Sequence, residues 1–543
     1  RHVIILIFLC VCVFIAIIIA SIATTVVASN NNNTGNNPDG SETIPVLPLF
    51  PSPAPSMMPS VSDAPTSLPS SAPSPLPSPS PSVYPSALPS MSPTDAPTNT
   101  PSLAPSMMPS VAPSDAPSEA PSVSPTFSQA PSTAPSSAPS TVFSTTDFEL
   151  IGNSLSGSQS GEEFGGSVAL SQDGSVLCAG AKYFSTQDKS RIGRVLCFER
   201  NPVSLGSSVW LPRGQSLLGR SDEDQFGYAI SLSRDGNRLA ISETGFDGEA
   251  GDRTGNVRVL QWSAELGQWA PLGQEIEGEG DADFFGFSLA LAGNGERLVV
   301  GSPYHDSGGL VLNGRIRVYD LVNNVWKESG NAIDGVERSE WFGWSVDISD
   351  DGQVIAAGSP RNSAFKGYVK VFYWEDGNWV PLGKTIRNNV GSAGSNDRFG
   401  SSISLSPDGQ HVAIGAPWRS SRRGMVVVYT FAGFEDEWSL QGSPMIGSNV
   451  SDELGEAVFL NSLDMLAVGI PGHNMGQDQG LVTFHRFDGF DWDSTTASLL
   501  GKGKGDDFGS SLAISSDGFT LAVGAISNSN GGSGYAHSYK ILP

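Results

Sequence analysis

The chain has 543 residues, with 30 Lys and Arg against 55 Asp and Glu, four Cys, 62 Gly and 39 Pro, and a formal charge of −25. Affinity for a phosphate backbone comes from Lys and Arg, so this balance excludes a nucleic-acid binder. Twenty-eight of the 39 Pro lie between Pro38 and Pro139, and no Lys or Arg occurs between Arg1 and Lys182. Length alone would suggest several domains of ordinary size, and that unevenness argues against them.

Residues 3–28 are 26 consecutive uncharged positions dominated by Ile, Val, Leu, Phe and Ala. A bilayer core needs ~20 such residues and a signal-peptide core only ~7–15, so this segment predicts a transmembrane signal anchor. Arg1 and His2 flank one end, and Asp39 and Glu42 follow the other. The basic side is expected to stay in the cytosol, leaving the C-terminal part outside. Residues 29–146 repeat Ala-Pro-Ser or Leu-Pro-Ser about every four residues, as at Ala54-Pro55-Ser56 and Ala104-Pro105-Ser106. Pro at this density blocks helices and sheet ladders and favours extended polyproline II, here a low-complexity, disordered stalk. Ser and Thr beside Pro fit a mucin-like glycosylated spacer, with plain disorder as the alternative. Asn32 stands in one N-glycosylation sequon, and Asn449 stands in another farther along the chain.

Residues 147–543 are a sevenfold repeat carrying 49 acids and 29 bases, a net −20. The signature is an acid, one residue, then Phe-Gly: Phe164, Phe226, Phe285, Phe342, Phe399, Leu454 and Phe508 each precede a Gly, at spacings of 54 to 62 residues. The acids are Glu162, Asp224, Asp283, Glu340, Asp397, Asp452 and Asp506. Nine residues after the aromatic an Asp-Gly or Asn-Gly turn recurs, and the sixth copy has Leu463-Asp464 instead. Apolar residues alternate with a period of two, which predicts strands. In the fifth copy these are residues 399–405, a tight two-residue Asp408-Gly409 hairpin, residues 411–416, residues 424–429, and a fourth strand opening at Trp438. Four antiparallel strands repeated radially predict an all-β, seven-bladed β-propeller. The seventh copy ends after its third strand, while Phe148…Gly152 has the Trp-x-x-x-Gly spacing of Trp210, Trp269, Trp326, Trp379 and Trp438. Residues 147–152 are therefore expected to supply the outer strand of the last blade and close the ring.

This repeat resembles the FG-GAP family, found in integrin α-chain heads and related cell-surface proteins. The resemblance rests on Phe-Gly followed about sixteen residues later by Gly301-Ser302-Pro303, Gly358-Ser359-Pro360 or Gly415-Ala416-Pro417. It implies a propeller acting at the cell surface. The copies depart from those that carry calcium, since a two-residue Asp-Gly turn offers too few oxygens for six to eight ligands.

The seven acids either form a carboxylate ring at the channel mouth or each cap their own turn. Cys178 and Cys197 fall on facing strands of the first blade and either form a disulfide or fill apolar slots as buried thiols. The six His give no metal-binding spacing, and no Gly-x-Ser-x-Gly elbow occurs. No metal, cofactor or catalytic residue is expected, and the protein is read as a non-enzyme. The loops between second and third strands vary most and carry Phe246, Tyr304, His305, Phe365, Trp418 and Arg419. Aromatics and Arg concentrate binding energy, so a contact is expected there, centred on Tyr304, His305, Trp418 and Arg419. The net −20 favours a cationic or cation-bridged partner.

These observations predict a single-pass plasma-membrane glycoprotein whose extracellular propeller recognises a protein or glycan ligand in adhesion. The alternatives are a glycan-active extracellular propeller enzyme and a structural wall or coat component. Protease treatment of intact cells is expected to release the propeller; protection would overturn the orientation.

Overall fold

The computed structural model describes residues 148–202, 208–361, 366–390, 396–432, 437–461, 465–474, 477–493, 498–527 and 532–542. The expected anchor and stalk, Asn32, Phe365 and the Leu463-Asp464 turn lie outside the described residues. Among those residues the strands form seven antiparallel sheets, the blades of a seven-bladed β-propeller. In the first blade the strands run Ser167–Leu170, Val176–Ala181, Arg194–Pro202 and Ser208–Pro212 from the axis outward. The later innermost strands are Phe226–Leu232, Ser288–Leu291, Ser345–Ile348, Ser402–Leu405, Val458–Leu460 and Phe508–Ile514. The second strands are the most apolar: Val176–Ala181, Val354–Ser359, Met465–Ile470 and Thr520–Ala525 are buried at every position. Each is sandwiched between neighbouring blades, which is why these runs lose the alternation of a half-exposed strand.

The ring closes as expected. Phe148–Leu150 pairs with the third strand of the last blade in the register Phe148↔Ile541, Glu149↔Lys540, Leu150↔Tyr539. The Trp-x-x-x-Gly motif proves to be a lock between blades. Trp269, Trp326, Trp379 and Trp438 each donate their indole N–H to the carbonyl just before the motif Gly of the preceding blade, at 2.8–3.1 Å. That Gly has φ between +69° and +83°, and a Cβ added at Gly273 would lie 2.7 Å from Trp326 Cδ1. At the closure Trp210 donates to Ser538 Oγ at 2.7 Å, and Ser538 in turn donates to the Ile151 carbonyl at 3.2 Å. Phe148 takes the Trp position in the last blade and packs 4.9 Å from Phe484.

One outer-strand Trp escapes the motif, and two sequence expectations change. The sixth blade does have its Trp: Trp492 donates to the Gln441 carbonyl at 2.9 Å, although its strand is reduced to a bridge with Phe487. The motif was invisible because Thr496 stands where the Gly would be. The fifth innermost strand begins at Ser402 rather than Phe399, because Arg398 to Ser401 form a closed turn. The Asp-Gly hairpins are not two-residue turns. Ser171 and Val176 close a four-residue loop, with Gly174 N–H donating to the Ser171 carbonyl at 2.9 Å and Ser171 Oγ bonded to Asp173 at 2.7 Å. The Ser and Asp side chains shape this loop, so four residues fit where propensity alone suggested two. Cys178 and Cys197 face each other across the first blade and are disulfide-bonded.

Gly273→Ala is expected to cost about 2 kcal/mol or more, combining a left-handed backbone with the Trp326 clash. Trp326→Phe, which strands the Leu272 carbonyl, is expected to cost about 1 kcal/mol. Denaturant unfolding of both variants checks this; wild-type stability in either would show that the lock carries no load.

Candidate functional site

The six Phe-Gly pairs and Leu454-Gly455 are the central residues of seven equivalent turns. In each, the residue before Phe accepts a bond from the N–H of the residue after Gly: Glu163 from Gly166, Gln225 from Tyr228, Phe284 from Phe287, Trp341 from Trp344, Arg398 from Ser401, Glu453 from Glu456 and Asp507 from Ser510, at 3.0–3.2 Å. The Gly sits at φ +84° to +95°, as the third residue of a type II turn requires. The aromatic, at most 1 % exposed in six copies, is driven between two blades. The residue before it is held at φ +52° to +58° in all seven copies although none is Gly. Such a conformation costs about 1 kcal/mol per residue and persists only where surrounding structure enforces it.

The flanking acids are buried at 0–4 % exposure and serve these connections. Asp224 accepts from the Arg220 and Ser221 N–H groups at 2.8 and 2.5 Å, Asp506 from Gly503 at 2.8 Å and Asp452 from Asn449 at 3.1 Å. Glu162 and Glu340 accept likewise from the Ser158 and Val336 N–H groups. Asp283 is bonded to His305 at 2.6 Å and Asp397 to Asn388 at 3.0 Å. The donors lie three or four residues before most of the acids, not at the following Gly. Burial pushes the Glu340 carboxyl up against the pull of its backbone donors.

The constrained residues and those after the Gly gather at one end of the ring, and several of them are linked through contacts there. Lys182 pairs with Glu163 at 2.9 Å and lies 5.2 Å from the Tyr228 ring. Tyr228 packs on Phe287 at 5.1 Å, Phe287 on Trp344 at 4.5 Å, and Trp344 is stacked on Trp341 at 5.2 Å. Tyr304 bridges Phe284 and Trp341 at 5.2 and 5.5 Å. Arg361 covers Trp341 at 4.4 Å, and Arg398 and Arg422 lie 3.4 and 5.5 Å from the Trp418 ring. Arg422 pairs with Glu453. Glu456 is wetted yet ringed by protein atoms; burial pushes its carboxyl up while Arg398 and Arg422 pull it down. Burial, with repulsion from Asp478, Asp506 and Glu163, pushes the Asp507 carboxyl up to about 6. The mouth is thus polarised, with aromatics and guanidiniums on one arc and carboxylates on the other.

Tyr304 and Trp418 are half-buried members of this mouth. His305 and Arg419 are not surface groups: both are 8 % exposed, His305 held by Asp283 and Arg419 by the Val390 carbonyl at 2.8 Å. Each braces its own loop, and neighbours in sequence point in opposite directions there. Phe246 packs in its own loop beside Arg220, 5.9 Å away. The mouth residues that sequence reasoning passed over are Trp341, Trp344, Phe287, Tyr228, Arg398 and Glu456. Their signal was available: within the acid-x-Phe-Gly-x frame, only the x positions change chemistry from copy to copy.

Behind the mouth the innermost strands line a cavity of about 320 Å³. Asp347 lies in it, accepting from the Leu405 and Ile348 N–H groups at 2.7 and 2.9 Å, and burial pushes its carboxyl up to about 6. At the opposite end Ser516, Gln172, Arg234, Gly293 and Asp350 each donate N–H to the next turn's carbonyl at 2.8–2.9 Å. Arg234 and Asp350, two blades apart, pair over Gly293. Among the described residues, no group of three or more His, Cys, Asp or Glu side chains is placed to hold a metal ion, and no helix is long and apolar enough to cross a membrane. No protein-family model matches the chain, and no curated protein matches it significantly.

Because the folded Asp347 pKa lies above the ordinary 3.8, the folded state binds more protons between those values, so this group lowers stability as pH rises from about 4 to about 6. Asp347→Asn is expected to flatten that fall. The variant's stability relative to wild type should be higher at pH 7.5 than at pH 4.5 in urea unfolding; an equal difference at both would place Asp347 in water.

Proposed function

We propose that this protein is a membrane-anchored, extracellular recognition and adhesion protein that binds its partner at the polarised mouth of the propeller without chemistry. The observation that carries the reading is the placement of seven variable, conformationally constrained residues in equivalent turns at one end of the propeller. Diversity at that one frame position, inside an otherwise constant turn, is what a binding surface needs and what a purely architectural position does not. The aromatic and Arg content of the arc supplies large, rigid groups of the kind that dominate binding energy. The uncharged 26-residue segment and the Pro/Ser stalk support a surface location, with the propeller held clear of the bilayer. The recurrences that resemble FG-GAP repeats support the same placement.

Replacing both Tyr304 and Trp418 with Ala is expected to weaken partner capture by tenfold or more, since each removes a rigid anchor. The melting temperature should stay nearly unchanged. A glycan and matrix-protein array probed with the full chain and the double variant reads both quantities. Unaltered binding, or collapse of the fold, would overturn the assignment of the mouth.

A further inference from the structure

Trp341, Pro360, Arg361, Asn396 and Arg398 line a pocket of about 200 Å³ in the cationic arc of the mouth. Ligand sites for whole drug-sized molecules run to ~300–1,000 Å³, so this one admits a single small group. Two of its five lining residues are arginines. Arg361 is held against the Trp341 ring and Arg398 against Trp418. Burial pushes the Arg398 guanidinium down, the Glu456 charge opposes this, and the Arg361 and Arg422 charges add to it. Among the described residues, no carboxylate comes within ion-pair distance of Arg398, whereas Arg422 beside it is paired to Glu453. The Trp341 indole N–H is buried with no partner, a cost that a native site retains for a reason. The Arg398 fork, with the Arg361 guanidinium beside it on the same small space, is complementary to a planar oxyanion.

We propose that this pocket is the subsite for one carboxylate carried on a small, neutral, hydroxyl-rich body, the chemistry of a sugar-acid end group on a glycan. The inference rests on the recognition reading and adds the ligand class. The net −20 of residues 147–543, which favours a cationic partner over the surface as a whole, disfavours a polyanion, while the two guanidiniums lining this pocket make it locally cationic and suited to one carboxylate. The hydroxyl-rich body is favoured over an acidic peptide by the opposite arc, where Glu163, Glu456 and Asp507 present acceptors that uncharged hydroxyl donors satisfy.

The test titrates the full chain with an oligosaccharide ending in glucuronate and with the same oligosaccharide ending in glucose. The acid is expected to bind at least about tenfold tighter, as hydrogen bonds to a charged group warrant. Arg398→Ala and, separately, Arg361→Ala should each erase most of that preference while leaving the melting temperature in place. Arg398→Lys, which keeps the charge but loses the fork, should recover little of it. Equal affinity for the two oligosaccharides in wild type, or a preference that survives both alanine variants, overturns the proposal. Tighter capture of a peptide with a single Asp than of the acid-ended oligosaccharide overturns the sugar class. Binding of any partner that depends on Trp418 but not on Arg398 overturns the subsite while leaving the mouth as the recognition surface.

Discussion

At most junctions backbone must press directly on backbone, because the carbonyl of each Phe-Gly turn lies where a Cβ on the preceding blade's second strand would stand. At Gly180, Gly301, Gly358, Gly415, Gly469 and Gly524 an added Cβ would come within 1.9–2.3 Å of that carbonyl oxygen. In five junctions the same carbonyl accepts from a Ser hydroxyl of the preceding blade, Ser167, Ser288, Ser345, Ser402 or Ser511, at 2.7–2.9 Å. The Gly-Ala-Pro and Gly-Ser-Pro recurrences and the Ser three residues after each Phe therefore answer one requirement, the close approach of neighbouring blades. The second blade departs, with Ser242 in place of Gly and Ala229 in place of Ser, and there the Ser242 hydroxyl accepts from the Ala229 N–H at 2.9 Å.

The same constraint produces the mouth. Seating the Phe between blades and the Gly against the neighbouring strand fixes the turn, and the fixed turn forces the preceding residue into a left-handed conformation. That residue leaves the strand ladder and projects at the ring's end, where its chemistry is unconstrained by packing. Glu, Gln, Phe, Trp, Arg, Glu and Asp all occupy the position. Architecture at the junction and diversity at the mouth are thus two consequences of one turn. The far end behaves oppositely: turn bonds to turn through backbone amides, and the Arg234–Asp350 pair straps across Gly293, leaving little room for variable side chains.

Repeat number, strand order and ring closure were all legible in the sequence, since each follows from short-range spacing: period two within strands, Phe-Gly about every 57 residues, and an orphan Phe148…Gly152 ahead of the first copy. Copy-to-copy comparison also separates the constant acids from the changing x positions. Tyr304 and Trp418 were found from a different signal, the variability of the loops between second and third strands. Spacing reports which positions recur and does not report which way a loop side chain turns, so His305 and Arg419 looked as exposed as their neighbours.

By itself, then, the sequence determined the seven blades and the place where the ring closes, because hydrophobic period and turn chemistry act over a few residues. Only the tertiary structure decided that the recurring Trp and Gly are locks between blades, that Cys178 and Cys197 are joined, and that Arg398 meets Trp418 with no carboxylate among the described residues in ion-pair distance. Those facts depend on contacts between residues about 20 to more than 300 positions apart, whose distances are set by the radius and twist of the closed ring and are encoded in no local pattern.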